Sequence, residues 1–287
     1  MGILQGATEL FPVSSLGHGV LVPGWLGWHN LVNSQSHSES FFLAFIVGLH
    51  VGTALALIIY YWKTWLDLVR SLGAQSSLVR QRGVRMAWAL NDPATDANYR
   101  TLFLLVIATI PVGIVGVLFE HKLRVLFVKP LAASIFLTVN GVILAAGEML
   151  RRNRARHAAT TTVATLSPLR AVAVGTTQIG ALFAGISRSG VTIVSGLRVG
   201  MDHEESANFA FLLATPVILL AGLLKIPDLF GPLGNGVRGQ ALVGALFAAG
   251  AAYLSVRFLV RWFTTKTLWP FAIYCLLAGV ASIIRFA

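Results

Sequence analysis

The amino-acid sequence predicts an all-α integral membrane protein, with six transmembrane helices and two re-entrant broken-helix hairpins arranged as inverted-topology repeats. Three observations carry that expectation. Hydrophobic residues make up 56% of the 287 and charged residues 11%, with a mean hydropathy of +0.75; a soluble fold of this length needs far more charge for its surface. Six stretches are apolar and long enough to cross about 30 Å of hydrocarbon as helices. A polar pattern, QGATELFPVSSLGH from Gln5 to His18, largely returns 173 residues later as QIGALFAGISRSG from Gln178 to Gly190.

The first element, residues 1–28, is apolar but interrupted by Phe-Pro-Val-Ser-Ser, and residues 169–200 are interrupted in the same way by Ala-Gly-Ile-Ser-Arg-Ser-Gly. Each region reads as two half-helices that enter and leave by one face. Irregular backbone at membrane depth is tolerated only where protein or a wet cavity surrounds it, so both breaks are expected to line a cavity. The alternative for each is a single kinked spanning helix. The six spans fall at 41–62, 101–119, 130–150, 207–225, 240–262 and 268–284. Between the first two, Trp65, Leu66, Val69 and Leu72 recur at helical spacing and predict an interfacial helix.

Each half therefore holds one hairpin followed by three spans, with residues 1–150 forming the first repeat and 151–287 the second within one structural domain. Three is odd, so the second hairpin enters from the face opposite the first, and the two breaks meet near the midplane. A weaker echo supports the pairing: Glu39, Ser40, Ala44, Phe45 and Val51 match Glu205, Ser206, Ala210, Phe211 and Val217 at a constant offset of 166.

A net charge of +11 in a soluble protein would point to a polyanion. Here the basic residues sit in the connections, so no nucleic-acid partner is expected. Lys63, Arg70, Arg80, Arg82, Arg85 and Arg100 share one side with Arg151, Arg152, Arg154, Arg156 and Arg170, and that richer side is expected to be cytoplasmic, with both chain ends outside. The single cysteine, Cys275, excludes an internal disulfide and a Cys-based metal site. The first ten residues lack a basic segment and contain Gln5 and Glu9, unlike a cleaved signal peptide.

Chemistry concentrates at the two breaks. Gln5 and Glu9 are four apart and share a helical face, and Glu9 is the only carboxylate of the first hairpin. Together they could hold a hard divalent cation that also binds phosphate oxygens; a helix-pairing hydrogen bond is the plainer role for either. Pro12, Ser14 and Ser15 read as the start of a half-helix whose free N–H groups favour an anion, and Gly185, Ser187 and Gly190 offer a second such end. Arg188 within that break supplies a planar donor for phosphate, with Ser189 beside it and Thr192 one turn on. His18, three residues after Ser15 and four after Ser14, is spaced to act as base or acid, although a lone His is more often a satisfied polar residue. His50 and Asn140 lie within spans and read as interhelical polar contacts.

These residues resemble the bacitracin-resistance family of undecaprenyl-diphosphate phosphatases over nearly the whole chain. Its first motif, (Glu or Gln)-x-x-x-Glu followed by Pro-Val-Ser-Ser-x-Gly-His, is matched by Gln5, Glu9, Pro12, Val13, Ser14, Ser15, Gly17 and His18. Its second, Pro-Gly-x-Ser-Arg-Ser-Gly, is matched from Gly185 to Gly190, with Ala184 in place of the Pro. The resemblance implies a multi-pass enzyme of the bacterial inner membrane that hydrolyses undecaprenyl diphosphate to the monophosphate, recycling the carrier for peptidoglycan synthesis and conferring bacitracin resistance. It also implies a divalent cation, Mg²⁺ or Ca²⁺, at Glu9 and Gln5, Ser15 as the favoured nucleophile assisted by His18, and phosphate held by Arg188. Gln5 leaves this metal site one charge poorer than in members with two Glu, and the segment before the motif is shorter than usual. The main competitor is a lipid flippase or transporter, because carriers are also built from inverted repeats with broken helices. A homodimer is compatible with the sequence.

Overall fold

The computed structural model describes residues 1–28, 41–127, 129–154, 161–231, 236 and 238–287. Eleven α-helices and no strand occur among them: α1 Gly2–Leu10, α2 Ser15–Trp25, α3 Phe41–Tyr60, α4 Trp62–Arg82, α5 Ala97–Phe127, α6 Pro130–Arg154, α7 Pro168–Thr176, α8 Arg188–Val199, α9 His203–Phe230, α10 Arg238–Phe263 and α11 Trp269–Phe286. Glu39, Ser40 and Arg156 lie outside the described residues.

Five of the six expected spans are long and apolar enough to cross a membrane: Ala97–Phe119, Pro130–Arg151, His203–Leu223, Arg238–Phe263 and Trp269–Phe286. At the sixth, α3 runs for 20 residues, and its Gly48–Tyr60 portion is apolar. Around an apolar core, burial departs from that of a soluble fold in two ways. Ile110, Val117, Leu246, Leu254 and Leu277 face outward, whereas Gln5, Glu9, Ser14, His18, Asn140, Ser187, Ser189 and Thr192 are all buried. Polar groups in the interior and aliphatic ones outside are what a lipid solvent selects. The chain is a multi-pass membrane protein.

Helix α4 covers the segment expected to be interfacial. Leu68, Ser71 and Gln75 form its buried face, and Leu66, Val69 and Leu72 are left exposed, the apolar stripe that an interfacial helix presents.

Both apolar regions are broken where the sequence predicts. The first stops at Leu10 and restarts at Ser15; the second runs through α7 and a 3₁₀ turn, Thr177–Leu182, before restarting at Arg188. α1 lies along α10, and α7 lies along α5. Glycines make these approaches possible: a Cβ on Gly2 would stand 2.5 Å from the carbonyl oxygen of Gly244, and one on Gly175 would stand 1.9 Å from that of Ala108. Neither distance is allowed, so only Gly lets the backbones meet. Gly2 and Gly175 are 173 residues apart, the offset that also relates Gln5 to Gln178.

α6 packs on α11, and α3 packs on α9 and α10; α6 also touches α2 and α8, which brings the two restarts against one helix. That helix carries Asn140 at its middle, fully buried.

Candidate active site

The two restarts begin with the same device. Ser14 caps α2, its hydroxyl oxygen accepting from the N–H of Gly17 at 3.2 Å, and Ser187 caps α8, accepting from the N–H of Gly190 at 3.1 Å. A Ser cap is expected where a helix starts without a preceding turn to use its N–H groups. The Ser14 oxygen also accepts from the N–H of Gly185 at 3.1 Å, which ties the first break to the second. Asn140 adds another tie: its side-chain nitrogen donates to the Pro12 carbonyl and its oxygen accepts from the Ser187 N–H, both at 2.9 Å. The hydroxyls of Ser187 and Ser189 reach the Phe11 carbonyl at 3.5 and 3.3 Å. Four side chains, those of Ser14, Asn140, Ser187 and Ser189, thus join the two chain breaks.

Backbone conformation fits this tie. Gly185 has φ +112°, and a Cβ there would stand 2.5 Å from the Ala133 carbonyl oxygen. Ser14, at φ 71°, is the one non-glycine residue with positive φ among those described. Such a conformation costs on the order of 1 kcal/mol and persists where the surroundings over-determine it.

The caps leave specific donors over. Gly17, Gly185, Ser187 and Gly190 have their N–H groups engaged as above, whereas the N–H groups of Ser15 and Leu16 on α2 and of Arg188 and Ser189 on α8 have no partner among the described residues. The donor expected at Gly185 is therefore spent in tying the two breaks together and that at Gly190 in the cap of its own helix, and the free ones lie at the neighbouring first-turn positions. Thr192 is buried and donates to the Arg188 carbonyl at 2.8 Å, so its hydroxyl proton stays within the helix.

Between the two helix starts sits a charged cluster. Glu9, at the end of α1, receives the Arg188 guanidinium on one carboxylate oxygen and the Ser15 hydroxyl on the other. The second oxygen also accepts from the Gln5 amide at 2.8 Å. The Glu9 and Arg188 side chains are 6% and 14% exposed, so each charge needs the other. His50 of α3 joins them: its Nδ1 donates to the Ile46 carbonyl at 2.9 Å, which leaves Nε2 to accept from the Gln5 amide at 3.3 Å. The sequence implies no more than an interhelical contact for His50; its position 3.8 Å from Glu9 makes it part of the cluster.

His18 is placed differently from its spacing. Its Nδ1 donates to the Ser14 carbonyl at 2.7 Å, and its Nε2 meets the Tyr274 hydroxyl of α11 at 2.6 Å. Ser15 donates to Glu9 instead. The break lets the end of α1 fold against the start of α2, which brings a residue six positions back closer to Ser15 than one on its own helix. Tyr274 carries no signal in the sequence beyond its aromatic character. Asn140 carries only that of a lone amide in an apolar span.

Over residues 1–281 the sequence matches the family described as bacitracin resistance protein BacA. The chain belongs to that family. Among its relatives is undecaprenyl-diphosphatase 2 of Frankia alni, 45% identical with 100% of this chain and 96% of the relative covered. The undecaprenyl-diphosphatase of Mycolicibacterium paratuberculosis is 47% identical, covering 100% and 95%, and that of Granulibacter bethesdensis 42%, covering 99% and 94%. The BacA resemblance brings the expectation of a divalent cation. No group of three His, Cys, Asp or Glu side chains converges among the described residues, so the protein alone does not cage an ion. Glu9 and the Gln5 amide oxygen do fit a hard cation that completes its shell with phosphate oxygens and water, as Mg²⁺ commonly does. The charge balance agrees: Glu9 and Arg188 cancel, and a diphosphate then arrives with its own negative charge uncompensated.

Proposed function

We propose that this protein hydrolyses undecaprenyl diphosphate to undecaprenyl phosphate and inorganic phosphate, recycling the lipid carrier of peptidoglycan synthesis in the bacterial inner membrane and so conferring bacitracin resistance. The observation that carries the reading is the contact of Ser15, Glu9 and Arg188 between two helix starts with four unused N–H groups. A nucleophile, an acceptor for its proton and an anion-binding surface are the parts phosphoryl transfer requires. The carrier reading is less favoured, because the relatives are named as diphosphatases.

In this reading the terminal phosphate enters between α2 and α8 and takes the Arg188 guanidinium from Glu9, while the first-turn N–H groups of both helices receive the remaining oxygens. Glu9, released from Arg188, accepts the Ser15 proton as the Ser15 oxygen bonds to the terminal phosphorus. The bond to the bridging oxygen breaks, and undecaprenyl phosphate leaves with that oxygen and with the proton held by Glu9. Water, losing a proton to Glu9, then cleaves the phosphoserine to inorganic phosphate, and Glu9 returns that proton to the Ser15 oxygen. His18 fixes the turn at Ser14 through its carbonyl and links it to α11 through Tyr274. Gly185, Ser187, Ser189, Gly190 and Thr192 shape the phosphate end from the second break. The Glu9 oxygen given up by Arg188, with the Gln5 amide oxygen, would hold Mg²⁺ or Ca²⁺, which would withdraw charge from the diphosphate, and the other Glu9 oxygen, already bonded to the Ser15 hydroxyl, keeps the proton transfer.

The architecture proposed for this chemistry has six spans and two re-entrant hairpins as inverted repeats, 1–150 and 151–287. The common 173-residue offset of the caps, the glutamines and the packed glycines supports it. A long prenyl tail then stays in lipid while its head reaches the breaks. A homodimer is part of the proposal only as an assembly to be measured by light scattering of the detergent-solubilised protein. The function is tested with purified protein in detergent, where no second compartment exists: phosphate release from a polyprenyl diphosphate with Mg²⁺ or Ca²⁺, abolished by chelation and restored by adding the ion. No release under those conditions sinks the hydrolase and leaves the carrier.

A further inference from the structure

The last turns of α10 and the turn into α11 form a groove of about 410 Å³, lined by Leu254, Arg257, Phe258, Arg261, Trp262 and Lys266 together with one threonine. Arg257 and Arg261 are four apart on one helical face, and both are exposed, as is Lys266. None of the three has a hydrogen-bonding or ion-paired partner for its side chain among the described residues, in contrast to Arg188 on Glu9, Arg70 on Asp67, and Arg100 on two carbonyls and Asn91. Three cations at a helix C-terminus are favoured by the helix dipole and by the positive-inside bias. Neither effect makes a concavity, nor floors it with Phe258 and Trp262.

We propose that this groove binds an anionic phospholipid of the bilayer. The two guanidinium groups and the ammonium take the headgroup phosphate as charge-assisted donors. The acyl chain runs along Leu254 and Phe258, which are 65% and 47% exposed. Basic pockets beside transmembrane helices recognise lipid phosphates in this way. The groove is separate from the Glu9 cluster yet touches its frame: Phe258 stacks on Phe11 of the first break with ring centroids 5.8 Å apart, and Trp262 packs on Phe258 at 5.6 Å. The Phe11 carbonyl accepts from Ser187 and Ser189, so a lipid that steadies Phe258 also steadies the joint between the breaks.

The experiment is native mass spectrometry of the full-length protein released from nanodiscs of mixed phosphatidylglycerol and phosphatidylcholine, a readout that does not depend on the proposed reaction. Wild-type protein is expected to retain phosphatidylglycerol over phosphatidylcholine, and the triple variant Arg257→Gln, Arg261→Gln, Lys266→Gln to lose at least tenfold of that retention. A control triple, Arg80→Gln, Arg82→Gln, Arg85→Gln, removes equal charge from another exposed region and is expected to retain lipid as wild type does. If the groove triple expresses poorly, Arg261→Gln alone is expected to reduce retention severalfold. Equal loss in both triples, no preference for the anionic lipid in wild type, or unchanged retention in Arg261→Gln overturns the proposal. Added polyprenyl phosphate that displaces the phosphatidylglycerol stoichiometrically from this groove overturns the choice of a bilayer phospholipid as occupant.

Discussion

The two breaks share a frame and differ in cargo. Aligned at the 173-residue offset, Ser14 corresponds to Ser187 and Gly17 to Gly190, and these residues make the same cap in both copies. Around that constant frame the reactive positions diverge: Glu9 corresponds to Leu182, Ser15 to Arg188, and His18 to Val191. The first break carries the carboxylate and the hydroxyl, and the second carries the cation. The same capped turn supplies a helix start twice. In the proposed reaction one phosphate needs only one nucleophile and one counter-charge, and the two breaks would each bring one of them to a single substrate. Positive φ also falls differently in the two, on Ser14 in the first break, where a Cβ makes it costly, and on Gly185 in the second, where glycine adopts it without strain.

The largest effect is expected where the copies differ most. Ser15→Ala and Glu9→Gln are each expected to lower turnover by about a thousandfold, on the order of 4 kcal/mol of barrier, measured as steady-state phosphate release. Ser189→Ala, in the other break, is expected to cost much less. Comparable losses from Ser15→Ala and Ser189→Ala would erase the distinction between the copies. Arg188→Lys keeps the charge but removes the planar fork, and a loss between these extremes is expected.

The next effect concerns what joins the breaks. Asn140→Leu strands the Ser187 N–H in a buried setting and leaves the Pro12 carbonyl only the weak Cys275 thiol donor at 3.9 Å, at about 1–3 kcal/mol for an unsatisfied group. Unfolding in detergent should show that destabilisation together with lost activity. A stable, fully active Asn140→Leu would mean that the breaks hold together without it.

Much of this frame is legible in the amino-acid sequence. Pro12, Ser14, Gly185 and Ser187 stand in otherwise apolar runs, and turn chemistry there has few readings besides a broken helix, so the breaks and their caps follow from local rules. Five spans follow from length and hydropathy alone. What local rules do not supply is partnership across helices. The spacing of His18 to Ser15 is a fact about one helix, whereas the contact that forms is between helices, Ser15 to Glu9, because the break turns α1 back on α2. Asn140, His50 and Tyr274 are single polar groups on three other helices, and only the packing of those helices on the breaks gives them a role.

Smaller effects test the caps. Ser14→Ala and Ser187→Ala each remove a cap worth about 1 kcal/mol, and Ser14→Ala should be the worse because its oxygen also holds Gly185. Ser14→Gly relieves the positive φ and is expected to destabilise less than Ser14→Ala; the reverse order would argue against strain at that residue. At the small end, Gln5→Ala should reduce turnover far less than Glu9→Gln, and Gln5→Glu should retain activity and tighten the dependence on divalent cation, read as a lower concentration for half-maximal rate.

Whether the first break alone carries the nucleophile is decided by rapid quenching of turnover followed by peptide mass spectrometry. A phosphoserine is expected on Ser15, none on Ser14, Ser187 or Ser189, and none anywhere in Ser15→Ala. A Ser15→Ala protein that keeps a substantial fraction of activity, with no trapped phosphoenzyme in the parent, would contradict this and assign the attack to water.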